Sequence, residues 1–121
     1  MEFKERKAIY LQLAERLCLE ILQSRYSEDE RIPSVREFAA QMEVNANTAV
    51  RSYEWMQQKG IIHTRRGLGY FVSPGAKAVI ETMRREEFIN THLPELFANM
   101  QALHISMEDV EAEWRKFNQQ A

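Results

Sequence analysis

The chain has 121 residues, 45% hydrophobic and 28% charged, the size and make-up of one soluble domain with a modest core and room for an appendage. No apolar run approaches the roughly 20 residues that span a bilayer, the amino terminus lacks the apolar segment of a signal peptide, and Cys18 as the single cysteine excludes an intrachain disulfide; a cytoplasmic protein with no membrane partner is expected. The net charge of −2 would argue against nucleic acid only if charge were evenly spread, yet residues 1–75 carry 11 basic against 10 acidic side chains, residues 76–121 carry 5 against 8, and residues 31–72 carry 6 against 3.

A first helix is expected to begin near Ala8 and to end before Ser27. Tyr10, Ala14, Leu17 and Ile21 recur at helical spacing, and Leu11, Cys18 and Leu22 widen the stripe. Cys18 within that face reads as a buried structural thiol, because a reactive cysteine needs an electropositive, partly open setting. Ser27-Glu28-Asp29-Glu30 reads as a polar, solvated break. Pro33-Ser34-Val35-Arg36-Glu37 then starts a second helix. Pro33 blocks backward extension, Ser34 caps, and Glu37 three residues on closes a capping box. Val35, Phe38, Ala39 and Met42 form its core stripe. Arg36 lies off that stripe near the positive end of the helix, either a plain surface arginine or a phosphate or base contact.

Glu43-Val44-Asn45 has the length of the turn in a helix-turn-helix. Asn45 caps a third helix that runs to about Lys59 and is stopped by Gly60. Ala49, Tyr53 and Met56 face inward. Ala46, Asn47, Val50, Arg51 and Glu54 take outward or flanking positions, with Thr48 close to the helix start. Short polar side chains in the first turn, then an arginine one turn later, suit entry into the major groove. Asparagine pairs with adenine, arginine with guanine or phosphate, and the methyls of Ala46 or Val50 can meet a thymine methyl. The β-prone runs Ile61-Ile62-His63-Thr64 and Tyr70-Phe71-Val72 follow, joined by Arg65-Arg66-Gly67-Leu68-Gly69. Its glycines permit a tight tip, and its arginines suit backbone phosphates or a narrow minor groove.

Other chemistries lack their parts. Gly67-Leu68-Gly69 has neither the spacing nor the following helix of a dinucleotide loop. His63, His92 and His104 make no metal-ligand cluster with Cys18. No nucleophile–base pair stands out, so the chain is not expected to be an enzyme or to need a cofactor or metal.

Beyond Pro74-Gly75 the pattern is helical throughout. Val79, Ile80 and Met83 open one segment. Leu93, Leu96, Phe97 and Met100 make an i, i+3, i+4, i+7 stripe in which Pro94 kinks or restarts the helix. Ser106, with Asp109, caps a last helix carrying Met107, Val110, Trp114 and Phe117 along one side. So short a tail holds more large apolar side chains than it can bury among themselves. A homodimer contact through Met83, Phe88, Leu96, Phe97, Val110 and Trp114 is expected, the alternative being packing onto the chain's own winged helix.

Residues Ile9 to Val72 resemble the N-terminal DNA-binding domain of GntR-family bacterial transcription regulators. The resemblance is carried by IYLQLAERL, IPSVREFA, VNANT, RSYEWMQQKGII and RRGLGYFV in one collinear order. It implies a mainly α fold with a small β-hairpin: a winged helix-turn-helix over residues 1–75, then a short α-helical dimerisation tail over residues 76–121. By position, Arg36 matches a DNA-contacting arginine, Asn45, Asn47 and Thr48 the start of the recognition helix, and Arg66 with Gly67 the wing tip. Ala46 stands where many relatives have arginine or proline, and Val50 where some have arginine, so those relatives' base contacts do not carry over. The short tail resembles the YtrA-like branch of small dimeric repressors, often linked to transporter genes. The expected function is therefore a sequence-specific homodimeric repressor gripping a palindromic operator in double-stranded DNA. Its DNA-binding set is Arg36, Asn45, Ala46, Asn47, Thr48, Val50, Arg51, Arg65, Arg66 and Gly67. A drug-sized effector needs a cavity of about 300–1,000 Å³, more than two or three helices enclose alone, so any effector is expected between subunits or between tail and winged helix. A winged-helix protein-interaction module would keep this fold without needing its arginines on one side.

Overall fold

Local start signals place the helices, and each expected cap is formed in the computed structural model, which describes residues 7–120. Helix α1 spans Ile9–Leu22, α2 Val35–Met42 and α3 Ala46–Gln58; strands β1 (Ile62–Arg65) and β2 (Gly69–Val72) follow, then helix α4 (Ala76–Glu87). Glu37 N–H donates to Ser34 Oγ at 3.1 Å while Ser34 N–H donates to Glu37 Oε1 at 2.9 Å, the reciprocal box that starts α2. Asn45 Oδ1 accepts from Asn47 N–H at 2.8 Å and starts α3.

The helix ends were less legible. Helix α1 stops at Leu22, inside the expected bound before Ser27, at a residue the spacing did not mark. Ser24 adopts φ 64°, its N–H donates to Ile21 O at 3.0 Å, and Arg25 N–H reaches back to Glu20 O at 2.9 Å. This crossed pair is a Schellman ending, usually marked by glycine and here carried by serine. Helix α2 ends the same way on Glu43 (φ 55°), with Val44 N–H donating to Ala39 O at 3.0 Å. Only α3 uses the glycine expected, Gly60 at φ 79°.

The core gathers around α3. Ala49, Tyr53 and Met56 are buried there against Leu13, Ala14, Leu17, Cys18 and Ile21 of α1, Phe38 and Ala39 of α2, and Ile32, Ile61, Ile62 and Val72. Helix α1 buries Leu13 where the stripe had suggested Tyr10 and Leu11, because its inner face centres on the 13–17–21 and 14–18 rows. The free thiol of Cys18 is buried, as its place in the stripe implied.

The strands pair antiparallel in the register Ile62↔Val72, His63↔Phe71, Thr64↔Tyr70 and Arg65↔Gly69. The acidic segment Ser27–Glu30 is exposed and irregular, as its composition implied, and it is also bonded to the hairpin, which its composition did not imply. Asp29 N–H donates to Val72 O (2.8 Å), Val72 N–H to Glu30 O (3.0 Å) and Ile32 N–H to Tyr70 O (3.0 Å), so Asp29–Ile32 lines the outer edge of β2 with a bridge at Arg31↔Phe71. Its partner lies some 40 residues downstream, and no apolar alternation marks it, so local pattern could not reveal it. Glu28 likewise accepts from Gly75 N–H at 2.7 Å, at the approach to α4.

The chain divides into one compact unit up to Met83 and a second from Arg84. In the first, Ala76 and Ile80 of α4 are buried in the core, with Val79 and Met83 packed partly against it. The second contains the end of α4, a π-helical stretch Phe88–His92, helix α5 (Leu93–Leu103) and helix α6 (Met107–Gln119). Pro94 stands in the first turn of α5, where the α-helix restarts after the π-helical stretch, one of the two outcomes expected of it. His92 and Leu93 keep helical dihedrals, and the widened π turn stands directly ahead of the proline. There it relieves the clash a proline ring makes with the carbonyl four residues back. Ser106 and Asp109 form a second capping box at α6, as their spacing implied.

These boxes titrate. The Ser34 backbone N–H, then its hydroxyl, hold the Glu37 carboxyl below its ordinary pKa, and Ser106 does the same to Asp109. A folded-state pKa below the unfolded one stabilises above the ordinary carboxylate range and is lost as pH falls through the lowered value. Glu37→Gln, which keeps an acceptor but no charge, should therefore be less stable than wild type at neutral pH, with the gap closing in acid. Urea unfolding of both proteins across that range measures it; a gap that widens in acid contradicts the assignment.

Candidate nucleic-acid interface

The box at Ser34 places Arg36 in the first turn of α2, exposed and, among the described residues, in no ion pair. In α3 the Asn45 cap leaves Ala46 and Asn47 exposed in the first turn, Thr48 half-buried, and Val50 and Arg51 exposed one turn on. Asn45 Oδ1 accepts the capping bond, which leaves its amide nitrogen and the second lone pair of that oxygen for an outside partner.

Two residues missed in the sequence hold α3 at this angle or set its neighbours. Ser52 is fully buried, and its hydroxyl donates to Tyr10 O of α1 at 2.7 Å. Positions 49, 52, 53 and 56 make an i, i+3, i+4, i+7 set, so spacing could have found it; a serine in an apolar stripe hid it. Arg31 runs beside the wing, where a Cβ built on Gly69 would stand 3.2 Å from its Nε. Gly69, at φ 108°, is therefore favoured by its backbone, and a side chain there would also have to displace Arg31 slightly.

Tyr53 anchors the whole arrangement. Fully buried, it donates its hydroxyl to Pro33 O at 2.5 Å, meets Tyr70 of β2 edge-on with centroids 4.9 Å apart, and packs at 5.7 Å from Phe38. One side chain thus ties α3 to the start of α2 and to the wing. Burial, with weaker contributions from nearby acidic and phenolic groups, pushes its pKa far above the ordinary tyrosine value, so it remains a donor.

The tip is Arg66-Gly67-Leu68, closed by Leu68 N–H donating to Arg65 O at 2.9 Å, with Gly67 at φ 76°. The arginines differ in state. The Arg51 guanidinium lies 4.2 Å from the Tyr10 ring centroid, and that of Arg65 lies 4.3 Å from Phe71 while donating to Asp29 Oδ1 at 3.1 Å. Arg66 makes no ion pair among the described residues. The exposed groups on offer are donors and cations, suited to phosphate oxygens and base edges rather than to bond-making chemistry. Among the described residues no group of three His, Cys, Asp or Glu could hold a metal, and no helix is long and apolar enough to cross a membrane.

The second unit presents different chemistry. Met100 is its single buried apolar residue among those described. Phe88, Leu96, Phe97 and Trp114 are exposed, Val110 is half-buried, and the Trp114 and Phe117 rings stack at 6.3 Å on an open face of α6. Met83, expected with this group, is committed in part to the core of the first unit.

Comparison with known proteins agrees with this geometry. The profile of bacterial regulatory proteins of the gntR family matches residues 9–72, just over half of the chain. The helix-turn-helix-type transcriptional regulator YhcF of Bacillus subtilis is 40% identical over 80 residues, covering 66% of this chain and 66% of that protein. The transcriptional repressor YtrA of the same organism is 29% identical over 108 residues, covering 89% of this chain and 82% of that protein. Among solved structures, a GntR-family transcriptional regulator from Bacteroides thetaiotaomicron superposes with a TM-score of 0.81 at 43% identity, covering 93% of this chain and 98% of that one.

Proposed function

Because the chain belongs to the GntR family of bacterial regulatory proteins, DNA-binding transcription regulators and not enzymes, we propose that it is a homodimeric repressor gripping a palindromic operator. The observation that carries the DNA contact is the capped N-terminus of α3, presenting Asn47, Val50 and Arg51 outward, with Arg36 and Arg66 exposed on the neighbouring elements and in no ion pair among the described residues. In this reading α3 enters the major groove with Ala46, Asn47 and Val50 over base edges and Thr48 near the backbone. Arg36, Arg51 and the Arg66-Gly67 tip take phosphates, and Asn45 contributes its free amide nitrogen.

The bare apolar faces of the second unit support the homodimer, since a patch of that size is covered in a working protein. Twofold symmetry then sets two copies of α3 on two half-sites. Likeness to a named repressor supports repression, and transporter genes as targets, with a place in the cytoplasm, are proposed from the sequence resemblance to the YtrA-like branch alone. An effector at the subunit interface would act by changing the spacing of the recognition helices. A 5- to 150-fold loss of operator affinity requires it to favour the other spacing by about 1–3 kcal/mol.

Arg36→Ala, Arg51→Ala and Arg66→Ala should each weaken duplex binding without unfolding the protein. Where the missing guanidinium had neutralised a phosphate, the log–log salt dependence should also flatten by about one unit. Asn47→Ala should instead blur base preference, costing about 1–3 kcal/mol of discrimination. Titrations at several salt concentrations, on duplexes selected from a random pool, read all four. Unchanged affinity in the three arginine variants removes the DNA reading.

A further inference from the structure

The two adjacent arginines of the wing are in different physical states. Arg66 stands on the turn with no ion pair among the described residues. Arg65, the last residue of β1, is engaged on two sides: Nη2 donates to Asp29 Oδ1 at 3.1 Å, and the guanidinium lies 4.3 Å from the centroid of the Phe71 ring. Asp29 is itself held, its N–H bonded to Val72 O at 2.8 Å and its backbone turned to φ 62°. Phe71 belongs to the strand that Asp29–Ile32 lines.

We infer that Arg65 is a positioning residue, bracing the wing against the acidic turn, and that Arg66 is the wing arginine that reaches DNA. The inference rests on the DNA-binding reading and divides labour within it. A guanidinium with one face on an aromatic ring and one N–H on a carboxylate must give up part of that arrangement to turn toward a phosphate. A phosphate brought to it would also approach the anion of Asp29, and like charges at that range repel. A pair this exposed, at 42% and 56%, adds little to global stability. Its effect is local. Two four-residue strands form a hairpin that is marginal alone, so a brace that holds the tip before DNA arrives lowers the ordering cost of binding.

The test combines salt titrations on a duplex selected from a random pool with hydrogen exchange on the free protein. Arg66→Ala should flatten the salt slope by about one unit, while Arg65→Ala should leave it within about 0.3 unit of wild type. Affinity in Arg65→Ala should fall roughly two- to fivefold, the scale of an exposed pair. Arg65→Lys keeps the charge but loses the planar stack, so it should behave like Arg65→Ala. Asp29→Asn should weaken binding as well, and the double variant Asp29→Asn/Arg65→Ala should be no weaker than Arg65→Ala. In the free protein the wing amides of Leu68 and Val72 should exchange faster in Arg65→Ala and Asp29→Asn but not in Arg66→Ala.

A full unit of slope lost in Arg65→Ala, rescue by lysine, or tighter binding by Asp29→Asn would each overturn the inference. Should wild type bind no duplex in a salt-dependent way, the DNA reading fails, and the exchange data still decide the brace: unchanged wing exchange in Arg65→Ala overturns it.

Discussion

Trp114→Glu is expected to convert the protein from dimer to monomer at micromolar concentration and to lower operator affinity about 10²- to 10⁴-fold, the scale of a lost second attachment. Trp114 is 62% exposed, beside the equally bare Phe117, on a helix that buries none of its own residues. A large aromatic at the centre of a covered patch is the side chain most apt to anchor an interface. A carboxylate in its place would be desolvated with no partner, and removing water from an unpaired charge costs several kcal/mol. Phe97→Glu tests the same surface from α5. Sedimentation of wild type and both variants, with circular dichroism to confirm an intact first unit, reads the outcome. A wild-type protein that remains monomeric at micromolar concentration and on its operator contradicts the dimer.

The largest loss of stability is expected from Tyr53→Ala, about 3–5 kcal/mol as for other large buried aromatics cut to alanine. Against a total of about 5–15 kcal/mol for a domain, that leaves the first unit close to unfolding at growth temperature. The ring is wholly buried, and its loss opens a cavity where α2, α3 and β2 meet. Tyr53→Phe separates the two contributions. It keeps the packing but leaves Pro33 O without its donor, costing about 1 kcal/mol. Denaturant unfolding ranks the series. An alanine variant within about 1 kcal/mol of wild type would show that the junction repacks without the ring.

What could be foreseen from the chain divides by the range of the interaction. Ser34 with Glu37, Asn45 before α3, and Ser106 with Asp109 bond within three residues, so their spacing alone located three helix starts. Helical period likewise separated buried Ala49, Tyr53 and Met56 from exposed Ala46, Asn47, Val50 and Arg51. The exact ends of α1 and α5 escaped because Ser24 and His104 take the left-handed conformation without a glycine to announce it, whereas the turn at Glu43 was legible from the length of the helix-turn-helix. The edge pairing of Asp29–Ile32 escaped for a different reason. Its partners are about 40 residues away, and the acidic run that carries it resembles any solvated turn. The engagement of Arg65 went unseen with it, since Asp29 is its partner. Pro94 was a visible disturbance, but whether a helix breaks or widens around a proline depends on how the preceding turn relaxes.

The edge pairing also constrains the order in which the first unit can assemble. Contacts between α2 and α3 close short loops, whereas those of α1 with α3, such as Ser52 Oγ to Tyr10 O, and the bonds from Asp29, Glu30 and Ile32 to β2 each close one of about 40 residues, and distant closures form later. On the ribosome the amino-terminal part emerges first. The acidic turn therefore emerges with its backbone donors and acceptors unmet, and that edge is completed only once β2 has followed it out.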